Sequence, residues 1–305
     1  MKPTTTPSPL KGYLYALLSA SAFGFIPFFS VPVLQSGMHT PSVLVYRMLF
    51  SVCITALILL LRRQSVRIAR RQIGLFIGLA FLYTLSSLFL LESYLYIPTG
   101  VATTIHFLYP AFVTVCIGLF FKGGLSLHTL LPAALSLVGV ALLSMGTMHN
   151  LLSADSARQA LFGILIVLIT VAAYGGYLVI MQQSSAKRLD SLVNTFYVLC
   201  FTLLFCTATL YLRGEHIEPI PDTRAWISLI LLGVIPTVCS NLFLVLAIRH
   251  IGSRTTAVLG CMEPVTAVVL GIAFLGEHLI PMQYVGILII LLTVGFVIVG
   301  RKRPA

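Results

Sequence analysis

Of 305 residues, 58% are hydrophobic and only 9% are charged. A soluble domain is thereby excluded, because a chain of this length in water needs a charged outer face. The formal net charge of +11 raises a nucleic-acid partner, yet the cations lie in short segments between long apolar runs. A helix facing lipid needs roughly 20 apolar residues to cross the hydrocarbon. Runs of that kind predict an all-α integral membrane protein with ten transmembrane helices. In chain order they fall near residues 12–34, 42–61, 73–95, 99–120, 126–145, 160–182, 191–212, 225–248, 253–275 and 280–299.

The cations set the orientation. With the N-terminus in the cytoplasm, the inside segments collect Lys2, Lys11, the run from Arg62 to Arg71, Lys122, Lys187, Arg188, Arg249, Arg254 and the C-terminal Arg301, Lys302 and Arg303. Only Arg158, Arg213 and Arg224 fall outside, and Arg47 alone lies within a span. This is the positive-inside bias, so both termini are predicted to be cytoplasmic. Arg62 to Arg71 reads as a cytoplasmic loop against lipid headgroups and not as a nucleic-acid site. The first apolar segment is too long for a signal-peptide core and is expected to remain as helix 1. The outside connections, with Asn150 to Asp155 and the acidic Glu215, Glu218 and Asp222, read as solvated turns. All six cysteines fall inside spans without CxxC spacing, so free thiols are expected.

Polar residues inside the spans are the candidates for function. Helix 1 carries Pro27 and Pro32, which mark bends or tolerated kinks. Arg47 in helix 2 lies about five residues from the outer side, roughly 8 Å deep at 1.5 Å per residue. It either snorkels outward or offers its planar fork to a substrate carboxylate, to Glu263 or to Glu92. Helix 3 contributes Tyr83, Ser86 and Ser87. In helix 4, Thr103, His106, Pro110 and Thr114 form one stripe, with His106 either relaying a proton or bonded to a neighbouring helix. Tyr109 precedes Pro110. Helix 6 holds Tyr174 beside Gly175 and Gly176, and helix 8 holds Ser240 and Asn241 beside a kink at Pro236.

In helix 9, Thr256, Gly260, Glu263, Ala267 and Gly271 share one face. Small residues there leave room for a ligand or permit close helix packing. Glu263 sits near mid-membrane, where an acidic residue costs about 2.5 to 3.5 kcal/mol and usually faces a cavity or a partner. It binds a cationic group or a coupling proton, or it is a structural carboxyl beside the carbonyl that Pro264 leaves free. The tyrosines near helix ends, Tyr94 among them, read as interfacial belt residues.

An internal repeat orders these candidates. Ser86, Leu88, Phe89, Leu90, Ile97, Pro110 and Phe120 fall on Ser240, Leu242, Phe243, Leu244, Ile251, Pro264 and Phe274 at one ungapped offset of 154 residues. That offset carries helix 4 onto helix 9. Five spans is an odd number, so the second half is expected to run inverted in the membrane, with repeats over 1–150 and 151–305. Tyr109 aligns with Glu263, so the two are expected to meet near the pseudo-axis. Pro110 and Pro264 are expected to kink their helices at the site.

The ten-span layout, Met262-Glu263-Pro264-Val265, Phe274-Leu275-Gly276-Glu277 before helix 10 and Leu108-Tyr109-Pro110-Ala111-Phe112-Val113 in helix 4 resemble the EamA group of the drug/metabolite transporter superfamily. Arg47 stands where such proteins often place an arginine. The sequence departs from that pattern at Phe121-Lys122-Gly123-Gly124, where a Gly-Glu turn is expected. The resemblance implies ATP-independent export of small metabolites, amino acids or drugs across the bacterial inner membrane, with the repeats rocking around a site built by helices 3, 4, 8 and 9.

Other classes fare worse. No HExxH, metal-spacing cluster or membrane aspartate pair supports an intramembrane enzyme, and no cofactor motif is present. A multidrug efflux protein or a facilitative uniporter or channel stays open as the alternative. The expected partners are a small-molecule substrate, membrane lipids and a coupling proton. A monomer suffices and a dimer is compatible.

Overall fold

The computed structural model of the chain describes residues 8–97, 99–121, 127–143, 157–275 and 280–299. Among the described residues all regular structure is helical. Eight helical stretches are long and apolar enough to cross a membrane: Pro9–Gln35, Thr40–Leu61, Arg70–Ser93, Val101–Phe120, Arg158–Gln183, Ser191–Leu212, Thr223–Leu259 and Pro281–Val299. Two shorter apolar helices, Leu130–Leu142 and Met262–Phe274, accompany them. These two stand where the expected helices over 126–145 and 253–275 were placed, and the second is short for a local reason. The stretch from Thr223 runs on past the predicted end near 248, and its one non-helical interior residue is Gly252, at φ +79°. Glycine alone adopts that conformation freely.

Several stretches are divided. The first consists of α1 (Pro9–Phe23) and α2 (Ile26–Gln35), and α3 spans Thr40–Leu61 and α4 Arg70–Ser93. The fourth splits into α5 (Thr99–His106) and α6 (Tyr109–Phe120), and α7 spans Leu127–Leu143. After α8 (Ala157–Gln183) and α9 (Ser191–Leu212) comes α10 (Thr223–Gly233), which a π-turn over Val234–Cys239 joins to α11 (Ser240–Leu259). The chain ends with α12 (Met262–Leu275) and α13 (Pro281–Val299).

Three breaks share one grammar. Gly24-Phe25, Phe107-Leu108 and Gly260-Cys261 interrupt the helices, and Pro27, Pro110 and Pro264 follow within the first turn of the next one. Proline is tolerated there because the first-turn N–H groups have no intrahelical acceptor. Pro110 and Pro264 therefore open new half-helices, where the sequence suggested kinks inside continuous ones. Pro132 and Pro32 lie within α7 and α2.

The helices pack in matched pairs. α1 lies along α11, α4 along α8, α3 along α9, and α7 along α13. α1 also touches α12, and α5 and α6 touch α8. One continuous buried cluster runs through the bundle, including Phe23, Tyr83, Tyr109, Tyr174, Tyr177 and Leu244. Outward faces carry leucines such as Leu288, Leu292 and Leu204, as lipid requires.

The connection after α9, expected outside as a solvated turn, is held by specific contacts. The Glu218 carboxylate accepts from the His39 backbone N–H at 2.6 Å and pairs with His39 Nδ1 at 2.7 Å. Tyr46 donates to the Glu218 carbonyl at 2.8 Å, and Asp222 caps α10 by accepting from Ala225 N–H at 2.7 Å. All six cysteines are free. Lys2, Lys122, Gly123, Gly124, Asn150 to Asp155, Gly276, Glu277, Arg301, Lys302 and Arg303 lie outside the described residues.

Candidate functional site

At the heart of the bundle is a small cavity of about 30 Å³ to which Arg47, Tyr83, His106, Tyr174 and Glu263 all contribute. Room for about one or two water molecules is all that volume offers. A second, smaller cavity is lined by Tyr109, Tyr174, Thr256, Gly260 and Glu263. Tyr174 and Glu263 face both. Six of the eight side chains singled out from sequence thus converge, from α3, α4, α5, α6, α8 and α12.

Each arrives for a local reason. Arg47, only 1% exposed, is seated by close packing of α3 on α10. Ser51 donates to the Arg47 carbonyl at 2.6 Å and to the Gly233 carbonyl at 3.1 Å. Arg47 Nε then donates to Thr237 Oγ1 at 2.7 Å. The sequence-level alternative of an Arg47–Glu92 pair is not realised, since Glu92 instead faces Arg213 at 3.5 Å. Arg47 and Glu263 share the cavity without forming an ion pair among the described residues.

His106 closes the last turn of α5. Its Nδ1 lies 2.7 Å from Thr170 Oγ1, and Thr170 donates its own hydrogen to the Val167 carbonyl at 2.6 Å. The hydroxyl therefore accepts, which places a hydrogen on Nδ1. Glu263 stands in the first turn of α12. There the partial positive charge of the helix N-terminus faces a carboxylate favourably.

Aromatic rings complete the wall. Tyr174 meets Tyr109 edge-on at 4.8 Å, His106 at 5.5 Å and Phe23 edge-on at 6.2 Å between ring centroids. Tyr83 packs on Tyr177 at 5.5 Å. Gly260 must be a glycine here, since a Cβ would collide with the Tyr109 hydroxyl. Tyr109 and Glu263 line the second cavity together.

Two predicted residues lie elsewhere. Ser240 and Ser19 exchange side-chain to backbone hydrogen bonds at 2.8 and 2.9 Å, binding α11 to α1; Ser19 lines the second cavity, whereas Ser240 lines neither. Asn241 stands behind the wall and donates to the Tyr83 hydroxyl at 2.9 Å. In the helix 4 stripe only His106 reaches the cavity, and Thr114 returns its hydrogen to the Pro110 carbonyl.

Other contributors escaped sequence reading. Phe23 and Ile26 line the cavity from the α1–α2 break, and a Cβ at Gly24 would lie 2.5 Å from the Glu263 carbonyl. Pro27 was the available signal, read from sequence only as a bend or tolerated kink. Tyr94, read as a belt residue, hydrogen-bonds Thr103 within electrostatic reach of Glu263 and Arg47. Its position at a helix end gave no hint of this.

Comparison with known proteins accords with this geometry. An uncharacterized transporter, sll1319, of Synechocystis sp. (strain ATCC 27184 / PCC 6803 / Kazusa) is 26% identical over 231 residues, covering 75% of this chain and 67% of the relative. A solved crystal structure superposes with a TM-score of 0.79 at 15% identity, over 96% of this chain and 97% of its own. At that identity it speaks for the fold alone. The model of the EamA-like transporter family matches twice, at residues 10–145 and 161–299. A buried polar cavity inside a multi-pass helical bundle thus accompanies two matches that together cover most of the sequence, and the chain belongs to the EamA-like transporter family of the drug/metabolite transporter superfamily.

Proposed function

We propose that this transporter exports a small amphoteric metabolite, such as an amino acid, from the bacterial cytoplasm by alternating access, with a proton as coupling ion. The observation behind this is the unpaired juxtaposition of Arg47 and Glu263 on one cavity. Burying opposite charges without joining them is costly, and a solute carrying both a carboxylate and an ammonium group satisfies each. Substituted aromatic walls suit the ammonium end as well. The cavity of about 30 Å³ is too small for such a solute as it stands, so loading requires the surrounding helices to part.

The ten-helix inverted repeat belongs to this proposal. Dividing the Thr223–Leu259 stretch at Gly252 and including Leu127–Leu143 gives ten spans. Exchange of the halves maps the α1–α11 contact onto the α8–α4 contact and leaves α3–α9 and α7–α13 as self-paired contacts. The two family matches support repeats over 1–150 and 151–305. In this arrangement both termini are cytoplasmic, the host is the inner membrane, and one chain suffices for transport.

An untargeted comparison of extracellular and intracellular metabolites tests the reading in cells expressing wild type, Glu263→Gln or nothing. A compound enriched outside only by the wild type is expected. Equal enrichment by Glu263→Gln in well-inserted protein removes Glu263 from the coupling step. Toxic-dye extrusion without metabolite release replaces the metabolite exporter with multidrug efflux.

A further inference from the structure

The π-turn between α10 and α11 carries two side chains that the transport reading leaves unused. Pro236 has no N–H to give the Leu232 carbonyl. Thr237 Oγ1 fills that gap and donates to Leu232 O at 2.7 Å. With its hydrogen committed, the Thr237 hydroxyl can only accept, and Arg47 Nε supplies the donor at 2.7 Å. The guanidinium is thus held by its Nε edge. No described residue hydrogen-bonds its two Nη groups, and the side chain lines the cavity.

Asn241, one turn later, is held just as tightly. Its Nδ2 donates to the Thr237 carbonyl at 2.8 Å and to the Tyr83 hydroxyl at 2.9 Å. A carbonyl can only accept, so the amide cannot flip without setting its own oxygen against Thr237 O. The Tyr83 oxygen therefore accepts, which frees the Tyr83 hydrogen to donate. Tyr83, 2% exposed, lines the same cavity as Arg47.

We infer that Thr237 and Asn241 are positioning residues that turn the Arg47 and Tyr83 side of the cavity into a wall of donors for the substrate's carboxylate. This rests on the amphoteric-substrate reading and deepens it. Arg47 presents two Nη groups in one plane, the arrangement that suits a carboxylate bidentately, and Tyr83 adds a third donor. Neither Thr237 nor Asn241 lines the cavity, so each acts through the residue it holds. The mechanism also places specificity: a substrate whose carboxylate is replaced by a carboxamide cannot accept from three donors at once without leaving its own N–H opposed to one.

The test uses proteoliposomes of the full-length chain, with each proteinogenic L-amino acid supplied in labelled form and the matching carboxamide as competitor. Wild type is expected to carry at least one amino acid and to ignore its amide. Thr237→Val should raise KM for that amino acid about tenfold or more, the loss expected for a hydrogen bond to a charged group, with Vmax within about twofold. Thr237→Ser, which restores the hydroxyl, should return KM to within about threefold of wild type. Should Thr237→Val fail to assemble, Thr237→Ala removes the same hydroxyl without the added methyl. An unchanged KM in either assembled variant, or a fall in Vmax alone, overturns the positioning role while leaving the transporter standing. An amide that competes as well as its amino acid overturns the donor wall. Wild type that carries no amino acid overturns the substrate reading, and this inference with it.

Discussion

Two of the three broken helices, the second and third in chain order, repeat a backbone without repeating its chemistry. In the first, α5 ends at His106 and α6 begins at Tyr109-Pro110, while in the second, α11 ends at Leu259 and α12 begins at Met262-Glu263-Pro264. Both open on a proline in the first turn, yet the ionisable group stands before the break in one and after it in the other. His106 is tied to Thr170 on α8, whereas no described side chain hydrogen-bonds the Glu263 carboxylate. A group tied to a neighbouring helix is held in place, and one with no such tie is free to engage a ligand in the cavity that both line. On the proposed function, the chemistry that meets the substrate is expected at α12, with the first break as its scaffold.

The largest expected effect breaks the second junction. Glu263→Gln should lower coupled flux about a hundredfold, since a carboxylate kept in the membrane at about 2.5 to 3.5 kcal/mol is retained for what it does. Flux driven by a proton gradient in reconstituted protein measures it, and undiminished, gradient-dependent transport would move coupling elsewhere. Next in size is Gly260→Val, which thrusts a side chain into the Tyr109 hydroxyl. Overpacking of this kind costs about 1 to 3 kcal/mol, to be read as a lowered melting temperature in detergent together with lost transport. A variant as stable and active as wild type would show that α6 and the α11–α12 break separate more readily at this contact than the geometry implies.

Smaller effects are expected at the first junction. His106→Gln should cost about three- to tenfold in transport, the worth of one neutral hydrogen bond and its positioning. A loss as large as that of Glu263→Gln would make the two junctions equal partners. The smallest change is expected from Pro110→Ala and Pro264→Ala. Each proline occupies a first-turn position that needs no N–H, so thermal stability should fall by about 1 kcal/mol or less. A much larger loss at either would mean that the proline holds the break open.

Much of the site was legible because the membrane makes polar groups conspicuous. Arg47, His106 and Glu263 stand out in apolar runs, and a charged or titratable group there must find a cavity or a partner. What sequence cannot tell is which of these it finds. Ser240 carries the same signal as Ser87, yet it turns to Ser19 on α1 while Ser87 lines the cavity. Nothing in the sequence sets Thr237 apart from any other threonine in an apolar run. Its importance arises from Pro236 and from Arg47, 190 residues away in sequence.

The fold was legible at the level of apolar runs, and the differences lie where glycine acts. Gly252 lets one helical stretch turn without a loop, so the expected boundary near residue 248 disappears into a longer element. Gly24 allows α1 to approach the Glu263 carbonyl, and this close crossing delivers Phe23 and Ile26 to the cavity. Both depend on a missing Cβ, which hydropathy does not register.

The cavity that Arg47 and Glu263 share is expected to lie on the transport path. Ser87, which lines it, can be replaced by cysteine in a chain whose six native cysteines are changed to alanine or serine. Membrane-impermeant maleimide applied to right-side-out and inverted vesicles then reads access from each face. The account predicts labelling of Ser87→Cys from both faces during turnover, and inhibition of transport once labelled. A cysteine at 87 that no face can reach, in protein that still transports, would contradict it.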